Sequence, residues 1–427
     1  MEENIFALRG QIVYTPAADS WRTIENGYLV WRGQDILGVY AALPPEYEGI
    51  PLTDYGNGLI IPGLVDLHVH APQYAFRGLG MNLELLEWLN RYAFPEEEKY
   101  ADLGYAGEMY GIFADALLHS ATTRAVVYAT LHAPAAALLM NKLADTGLGA
   151  MVGKVNMDRN APDGLRESSA AESLAATERW LHDTLGRYPR VSPIITPRFI
   201  PSCSGALSRG LGELARKYKV PVQSHLSENL GEIEWVKELC PGSAGYADAY
   251  DRFGLLGGDV PTVMAHCVYP AGEEDLLCRR GVMIAHCPGS NANLASGIAP
   301  VRRLLRGGIR VGLGSDVAGG HSVSILRAMS DAVQASKLYF ACVDRGDKPL
   351  SLTEAFYLGT MGGGQFFAPG RLVGGFEPGY AMDAVVIDDS GLRKGQRLTL
   401  EQRVERAVYL SADSDIEAKY VDGIKVL

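Results

Sequence analysis

Short apolar runs alternate with longer amphipathic stretches through the middle of the chain. The runs typical of buried strands are 64–69, 123–128, 150–156, 191–196, 221–225, 261–265, 282–286 and 309–314. Stretches with helical spacing of apolar residues lie between most of them, at 82–93, 96–118, 134–145, 169–185, 207–218, 229–239, 273–280, 299–306 and 322–339. Eight strands that alternate with helices over about 250 residues predict an α/β fold, the (β/α)8 TIM-like barrel.

An open, doubly wound parallel sheet is the alternative to the barrel. Such a sheet typically carries a glycine-rich Gly-x-Gly-x-x-Gly loop after its first strand. The chain has no such loop after the run at 64–69. The pattern therefore favours the barrel.

Both ends of the chain consist of short β-like runs separated by turn residues. The runs that share this pattern include 27–31, 384–387 and 404–410. We therefore predict a small β-sandwich domain built from both termini, residues 1–62 and 374–427. It would flank a metal-dependent barrel domain of residues 63–373.

Composition limits the class of protein and its partners. The chain has 427 residues, of which 47% are hydrophobic and 21% charged, as in a soluble globular protein. Its net charge of −11 argues against nucleic acid or an anionic membrane as a partner. No stretch approaches the roughly 18 apolar residues of a membrane span. A small-molecule substrate remains open.

The chain termini and cysteines give an expectation about location. The acidic start, Met1-Glu2-Glu3-Asn4, lacks the basic-then-apolar layout of a signal peptide. The six cysteines contain no Cys-x-x-Cys pair. We therefore expect reduced thiols in a cytoplasmic protein, rather than disulfides or a thiolate metal site.

The first barrel strand carries the clearest chemical signal. His68 and His70 lie two residues apart, so in a strand both imidazoles point to one face. Two neutral imidazoles at that distance suit a divalent metal. Alone, a His-x-His pair is a weak indication, and its weight depends on the residues at the ends of the other strands.

Further polar residues come directly after the later strands. At the carboxyl ends lie Arg198 for strand four, His225 and Glu228 for strand five, His266 for strand six, His286 for strand seven and Asp316 for strand eight. The carboxyl ends of barrel strands meet at one face, so these side chains should converge. Four imidazoles and one carboxylate suit Zn²⁺ or Fe²⁺ better than Ca²⁺ or Mg²⁺.

Each of these residues also has an ordinary structural explanation. His225 and His266 could each be a hydrogen-bonded core histidine, and Asp316 could cap a helix. Glu228 could be a carboxylate that a helix N-terminus favours. These explanations must hold independently at several strand ends, so a shared metal site is the better interpretation.

A metal at this place would prepare water for hydrolysis. A catalytic zinc needs about three protein ligands and an open position, and it lowers the pKa of its bound water from 15.7 to about 7. Attack on an electrophilic carbon also needs a base and an acid. Asp316 can accept the proton of the water. Glu228, three residues after His225, suits a proton shuttle.

Several segments together resemble the amidohydrolase superfamily over nearly the whole chain. They are 68–76, 85–90, 196–199, 224–229 and 312–320. Three narrower motifs resemble the guanine deaminases within that superfamily: Gln-Tyr-Ala-Phe at 73–76, Leu-Leu-Glu-Trp-Leu at 85–89 and Thr-Pro-Arg-Phe at 196–199. No lysine ends strand four to bridge a second ion, which favours one metal.

The resemblance implies hydrolytic deamination of guanine to xanthine and ammonia, a step of purine catabolism, by a homodimer. It implies zinc, with iron as an alternative, held by His68, His70, His225, His266 and Asp316. Proton transfer falls to Glu228 and Asp316, beside His225. The substrate contacts would be Gln73, Trp88, Arg198 and Phe199.

The residue types at the expected substrate contacts agree with a planar heterocycle. Arg198 offers fixed donors, Gln73 a donor and an acceptor, and Phe199 an apolar face. Arg198 could instead be a surface arginine. Trp88 could equally be a core residue on an amphipathic helix.

Two alternative functions remain open. One is a related deaminase or chlorohydrolase that acts on a pterin, cytosine, a modified adenosine or a triazine. The other is a non-catalytic scaffold that has lost its metal. Turnover on guanine and on these heterocycles separates the enzymes from each other, and metal analysis tests the scaffold.

Overall fold

A computed structural model describes residues 4–368 and 370–427. The strands are β1 Ile5–Ala17, β2 Ser20–Arg32, β3 Asp35–Tyr40, β4 Leu52–Pro62, β5 Leu64–His70, β6 Thr122–Tyr128, β7 Gly149–Gly153, β8 Val155–Asn156, β9 Val191–Pro193, β10 Thr196–Pro197, β11 Val222–Leu226, β12 Thr262–His266, β13 Met283–His286, β14 Arg310–Leu313, β15 Ala384–Ile387, β16 Ile416–Val421 and β17 Ile424–Lys425. The helices are α1 Leu85–Trp88, α2 Phe94–Glu98, α3 Leu103–His119, α4 Ala133–Thr146, α5 Ala170–Thr184, α6 Gly205–Tyr218, α7 Leu230–Leu239, α8 Tyr246–Arg252, α9 Glu274–Arg280, α10 Pro288–Asn293, α11 Val301–Arg306, α12 Ile325–Cys342, α13 Leu352–Tyr357, α14 Ser390–Arg393 and α15 Leu400–Leu410. None of the described helices is both long and apolar enough to cross a bilayer.

Eight parallel strands form the centre of the molecule. They belong to two four-stranded sheets, β5-β6-β7-β9 and β11-β12-β13-β14. Backbone hydrogen bonds join the sheets at both edges, from Gln223 N to Ile195 O (2.9 Å) and from Asp316 N to His68 O (2.8 Å). The strands therefore close into a ring. Each of the eight predicted runs overlaps one of these strands, so this part of the prediction is confirmed.

Strands from the two ends of the chain lie in a single sheet. Its seven strands run in the order β17-β16-β15-β4-β1-β2-β3, and β1 and β4 are its one parallel pair. Side chains from both ends, among them Leu8, Trp31, Val386 and Tyr420, form a core cluster of their own. The two packed layers of a sandwich and the domain boundaries stay predictions.

The prediction of a strand at 404–410 is wrong, because these residues belong to helix α15. Thr399 caps its first turn, where its side chain accepts from Gln402 N and the Gln402 side chain accepts from Thr399 N. The buried Leu400, Val404 and Val408 recur every fourth residue, which is the helical period. The prediction considered only the run 404–410, whereas the helical period becomes evident when Leu400 is included.

The single helix predicted over 96–118 is interrupted. Helix α2 ends at Glu98, and α3 begins at Leu103, after a turn. The Asp102 carboxylate accepts from Gly104 N and Tyr105 N, which caps the second helix. The break matters because it lets α2 lie against the carboxyl ends of the ring strands.

A buried arginine ties the ring to the terminal sheet. Arg124 on β6 donates to both oxygens of Asp383 at 2.6 and 3.0 Å, and to Asp422 at 2.7 Å. Asp383 precedes β15, and Asp422 lies between β16 and β17. All three side chains are buried, so the charges of Arg124 and Asp383 depend on each other for compensation. Asp422 also pairs with Arg190 (2.9 Å) and Arg371 (3.1 Å).

We expect Arg124→Ala to lower the free energy of unfolding by about 3–5 kcal/mol, because it leaves the buried Asp383 carboxylate without its cation, while Asp422 keeps its pairs with Arg190 and Arg371. Urea denaturation checks this. The matched control is Arg9→Ala, which removes an exposed ion pair with Asp54 (2.8 Å) and should leave the midpoint nearly unchanged. Equal effects of the two substitutions would contradict a stabilising role for the buried ion pair between Arg124 and Asp383.

Candidate active site

The four predicted histidines meet at the carboxyl end of the ring. His68 and His70 end β5, while His225 and His266 lie at the ends of β11 and β12. The Nε2 atom of His70 is 3.2 Å from Nε2 of His68 and 3.2 Å from Nε2 of His225. Nitrogens this close, in buried rings, point to a shared ligand.

Asp316, just after β14, completes the cluster. Its Oδ1 lies 3.1 Å from Nε2 of His68 and 3.5 Å from Nε2 of His70. Its Oδ2 lies 3.7 Å from Nε2 of His266. We call these five side chains the donor cluster; they are His68, His70, His225, His266 and Asp316.

Burial sets the charges in the donor cluster. It lowers the pKa values of His68, His70 and His225 below the usual range, so these imidazoles are neutral at pH 7. Burial opposes the charge on Asp316, yet the imidazoles around it hold the pKa of this carboxyl well below its usual range. The cluster thus offers imidazole lone pairs beside an ionised carboxylate.

Hydrogen bonds at the opposite ring nitrogens orient two of the histidines. Nδ1 of His225 lies 2.6 Å from the Arg198 carbonyl oxygen, which can only accept. Nδ1 of His266 lies 2.8 Å from Oδ1 of Asn291 on α10. Both Nδ1 atoms therefore donate, which leaves the Nε2 lone pairs directed at the cluster.

The donor cluster fits a single divalent transition metal. His68, His225 and His266 form one group of potential ligand atoms, all within 4.8 Å of each other, and His68, His70 and Asp316 form a second. Imidazole nitrogens with one carboxylate suit Zn²⁺, and also Fe²⁺. Cys287 lies near His266 and Asp316, but burial raises the pKa of its thiol well above the usual value, which disfavours a thiolate ligand.

Asp66 fastens the first strand of the ring to the last. Its Oδ1 accepts from His68 N (3.1 Å) and Ser315 N (3.0 Å), and its Oδ2 accepts from the Ser315 hydroxyl (2.5 Å). Burial raises the pKa of Asp66 to about 7 against the effect of these hydrogen bonds. These contacts fix Asp316 relative to His68, because Asp66 binds the backbone of His68 itself and of Ser315, the residue before Asp316.

A pocket opens at the donor cluster and contains about 430 Å³ of space not filled by atoms, part of which is open to solvent. The residues predicted from the sequence that line it are His70, Gln73, Trp88, Arg198, Phe199, His225, Glu228, His266 and Asp316. Leu85, Leu89 and Leu294 add apolar wall. His68 lies beneath them, in the cluster. Every predicted site residue is thus in or next to one pocket.

Glu228 lies beside the donor cluster. Its Oε2 is 3.4 Å from Nε2 of His266, and its Oε1 accepts from the Ser296 hydroxyl at 3.1 Å. Burial raises the pKa of the Glu228 carboxyl, which the nearby His266 only partly offsets. A carboxyl that holds its proton more readily than usual can give one up inside the pocket.

Sequence reasoning missed two buried carboxylates here. Glu97 on α2 pairs with Arg198, and Glu232 on α7 lines the pocket. Burial and then the charge of Glu228 raise the pKa of Glu232 to about 8. The four-residue spacing from Glu228 to Glu232 was a usable signal. Nothing marks Glu97, which lies in an acidic run typical of a solvated helix start.

The two remaining histidines near the strand ends do not line this pocket. His286 on β13 is buried beside a separate cavity, where burial lowers its pKa to about 3. His321 is exposed and borders a surface depression.

Comparisons with known proteins place this chain among hydrolases. Residues 59–424 match the model of the Amidohydrolase family. The chain is 40% identical to a guanine deaminase of Dictyostelium discoideum over 89% of this chain and 85% of that protein. It is 36% identical to a guanine deaminase of Escherichia coli K12, over 95% and 90%. A guanine deaminase of C. acetobutylicum, solved with guanine in its active site, is 45% identical and superposes with a TM-score of 0.96, over 99% of this chain and 100% of that one.

We expect His225→Ala to weaken zinc binding by at least the roughly 10–100-fold typical of losing even an outer partner of a metal ligand. Elemental analysis of the purified protein and competition with a chelator measure this. His119→Ala is the control, because His119 is an exposed residue on α3. Full zinc content in the His225 variant would remove that residue from the ligand set.

Proposed function

This chain belongs to the amidohydrolase family, and on that premise we propose that it catalyses the hydrolytic deamination of guanine to xanthine and ammonia. The observation that carries the proposal is the similarity to guanine deaminases along nearly the whole chain. The pocket supports it, since a cleft with polar ends lies against a cluster of potential metal ligands.

The proposal includes one zinc ion held by the donor cluster. When bound, zinc would lower the pKa of water to about 7 and so supply hydroxide at neutral pH. Metal binding requires neutral imidazoles and an ionised Asp316. Burial lowers the pKa values of His68 and His70, and Asp316 is ionised. Burial opposes the charge on His266, but the Glu228 and Asp316 carboxyls raise its pKa, so this imidazole would release a proton when the metal binds. Iron would fit the same ligands, and elemental analysis distinguishes the two.

Substrate recognition falls to Gln73, Arg198 and Phe199. Guanine presents a carbonyl oxygen and ring nitrogens that can accept hydrogen bonds from a guanidinium and an amide. Phe199 supplies an apolar surface for the ring, and Trp88 with Leu85 and Leu89 closes the side of the pocket. A buried site of this kind favours a flat, uncharged base.

Two carboxyl groups with opposite pKa shifts divide the proton transfers. The oxygen of water forms a bond to C2 of guanine, the carbon that bears the amine, and the bond from C2 to that nitrogen breaks. Asp316, which is ionised, accepts a proton from the water. Glu228, whose pKa is raised, donates to the departing nitrogen, which leaves as ammonia. The second proton of the water moves from the new C2 hydroxyl to ring nitrogen N3, which gives xanthine, and Asp316 returns its proton to Glu228.

We also infer the architecture around the site. The ring of eight strands and its helices would form a (β/α)8 barrel domain of residues 63–373. The seven-stranded terminal sheet would form the β-sandwich of residues 1–62 and 374–427. The pairing of β4 with both β1 and β15 supports a single terminal unit. A homodimer is part of the same proposal.

Purified protein with zinc should convert guanine to xanthine with release of one ammonia per turnover. Xanthine is measured by chromatography and ammonia by a coupled assay. Adenine, cytosine, a pterin and a triazine serve as the competing substrates. If guanine is not turned over and one of these compounds is, the proposed substrate is wrong and the enzyme acts on that heterocycle instead. No bound metal and no turnover after zinc addition would indicate a scaffold.

We expect Glu228→Gln to keep its zinc and lose about 10²–10⁴-fold in kcat, because the amide cannot pass on a proton. Glu234→Gln is the matched control, since Glu234 is an exposed glutamate of the following helix α7, paired with Lys237. Zinc content and kcat of both variants are compared with those of the unaltered protein. Normal turnover by the Glu228 variant would show that this carboxyl takes no part in proton transfer.

A further inference from the structure

A fully buried carboxylate holds the two polar residues at the substrate end of the pocket. Oε2 of Glu97 accepts from Nη1 of Arg198 at 2.5 Å, and its Oε1 accepts from Nη2 of Arg198 at 3.0 Å. The same Oε1 accepts from Nε2 of Gln73 at 2.8 Å. All three side chains are at most 3% exposed. Glu97 itself does not line the pocket, so it acts through its two partners.

Helix α2 supports the guanidinium of Arg198 from two directions. Glu97 grips its edge with two parallel hydrogen bonds, a geometry that fixes both position and plane. The ring of Phe94, at the start of the same helix, lies 5.0 Å from the guanidinium carbon. Arg198 is therefore held from outside the pocket before a substrate arrives.

The contacts of Gln73 leave one orientation for its amide. Its Nε2 faces the Glu97 carboxylate, which can only accept, and its Oε1 faces Ala318 N at 3.2 Å, which can only donate. Turning the amide over would place oxygen against oxygen and N–H against N–H. Glu97 and Ala318 N together determine which end of Gln73 carries the donor.

Most of the hydrogen-bonding groups that Arg198 and Gln73 can still offer to a substrate are donors. Arg198 has five N–H groups, of which Glu97 takes two, and Gln73 keeps one free N–H. Both side chains line the pocket. The part of the pocket wall formed by Arg198 and Gln73 therefore offers mainly donors, and it favours a substrate with acceptors there.

We propose that Glu97 is a positioning residue that sets substrate specificity, by holding Arg198 and Gln73 as a donor face for an oxo-bearing heterocycle. The inference rests on the proposed function, since it assigns this face to the carbonyl edge of guanine. A heterocycle with an amino group in place of that carbonyl would set donor against donor. Sites built to hydrogen-bond one group reject analogues that leave buried partners unpaired.

The test compares guanine with 2,6-diaminopurine, which has an amino group in place of the 6-oxo group. We expect kcat/KM of the unaltered enzyme to favour guanine by at least about 100-fold, within the range open to polar sites. In Glu97→Gln the pair of parallel hydrogen bonds to Arg198 cannot form, because one acceptor oxygen becomes a donor, and one of the two contacts that orient the Gln73 amide is weakened. The preference should then shrink at least tenfold, mainly through a higher KM for guanine.

Two further variants separate specificity from folding. Glu97→Asp keeps the charge on a shorter side chain and should give an intermediate preference. Glu96→Gln is the matched control, because the neighbouring Glu96 binds Lys99 (2.7 Å) and Tyr105 and does not line the pocket. Its preference should equal that of the unaltered enzyme. Zinc content and melting temperature are measured for each variant.

The outcomes distinguish this inference from the function on which it rests. No guanine turnover by the unaltered enzyme overturns the proposed function. Turnover of guanine with an unchanged preference in folded Glu97→Gln overturns the role of Glu97, as does equal use of both purines by the unaltered enzyme. If Glu97→Gln does not fold, the decision rests on Glu97→Asp, where an unchanged preference overturns the inference.

Discussion

The closure of eight parallel strands into a ring is the constraint on which the site depends. The donor cluster comes from positions 68, 70, 225, 266 and 316, and only closure brings strand β14 back beside β5. The backbone hydrogen bond from Asp316 to His68, and the Asp66 clamp onto Ser315, fasten this junction at the height of the cluster. Without these contacts between the first and the last strand of the ring, Asp316 would have no fixed position relative to the imidazoles.

Burial then assigns different chemistry to similar groups. It keeps three imidazoles neutral, while neighbouring imidazoles keep Asp316 ionised, and it raises the pKa of Glu228. A buried guanidinium near a metal would add unfavourable positive charge, and the Glu97 carboxylate compensates the charge of Arg198 at close range. The pocket wall therefore combines a cluster of potential metal ligands with a guanidinium whose charge a buried carboxylate compensates.

The sequence was most informative where chemistry follows directly from local periodicity. Buried strands appear in the sequence as apolar runs, and each strand fixes the position of the residues at its carboxyl end. The convergence of His68, His225, His266 and Asp316 could therefore be predicted. The prediction of a strand at 404–410 was wrong because the run is short and belongs to a helical repeat that starts at Leu400. Glu97 was out of reach, since its role depends on a tertiary contact with Arg198, which lies 101 residues away. No local pattern encodes such a pair.

Diffraction from crystals of the zinc-loaded protein, recorded on both sides of the zinc absorption edge, tests the central claim most directly. The account predicts one anomalous peak at the donor cluster, with ligand nitrogens and oxygens at about 2.0–2.2 Å. A guanine or xanthine molecule soaked into the same crystals should lie between that peak and Arg198. A crystal with no peak among His68, His70, His225, His266 and Asp316, or with zinc bound only elsewhere, would contradict it.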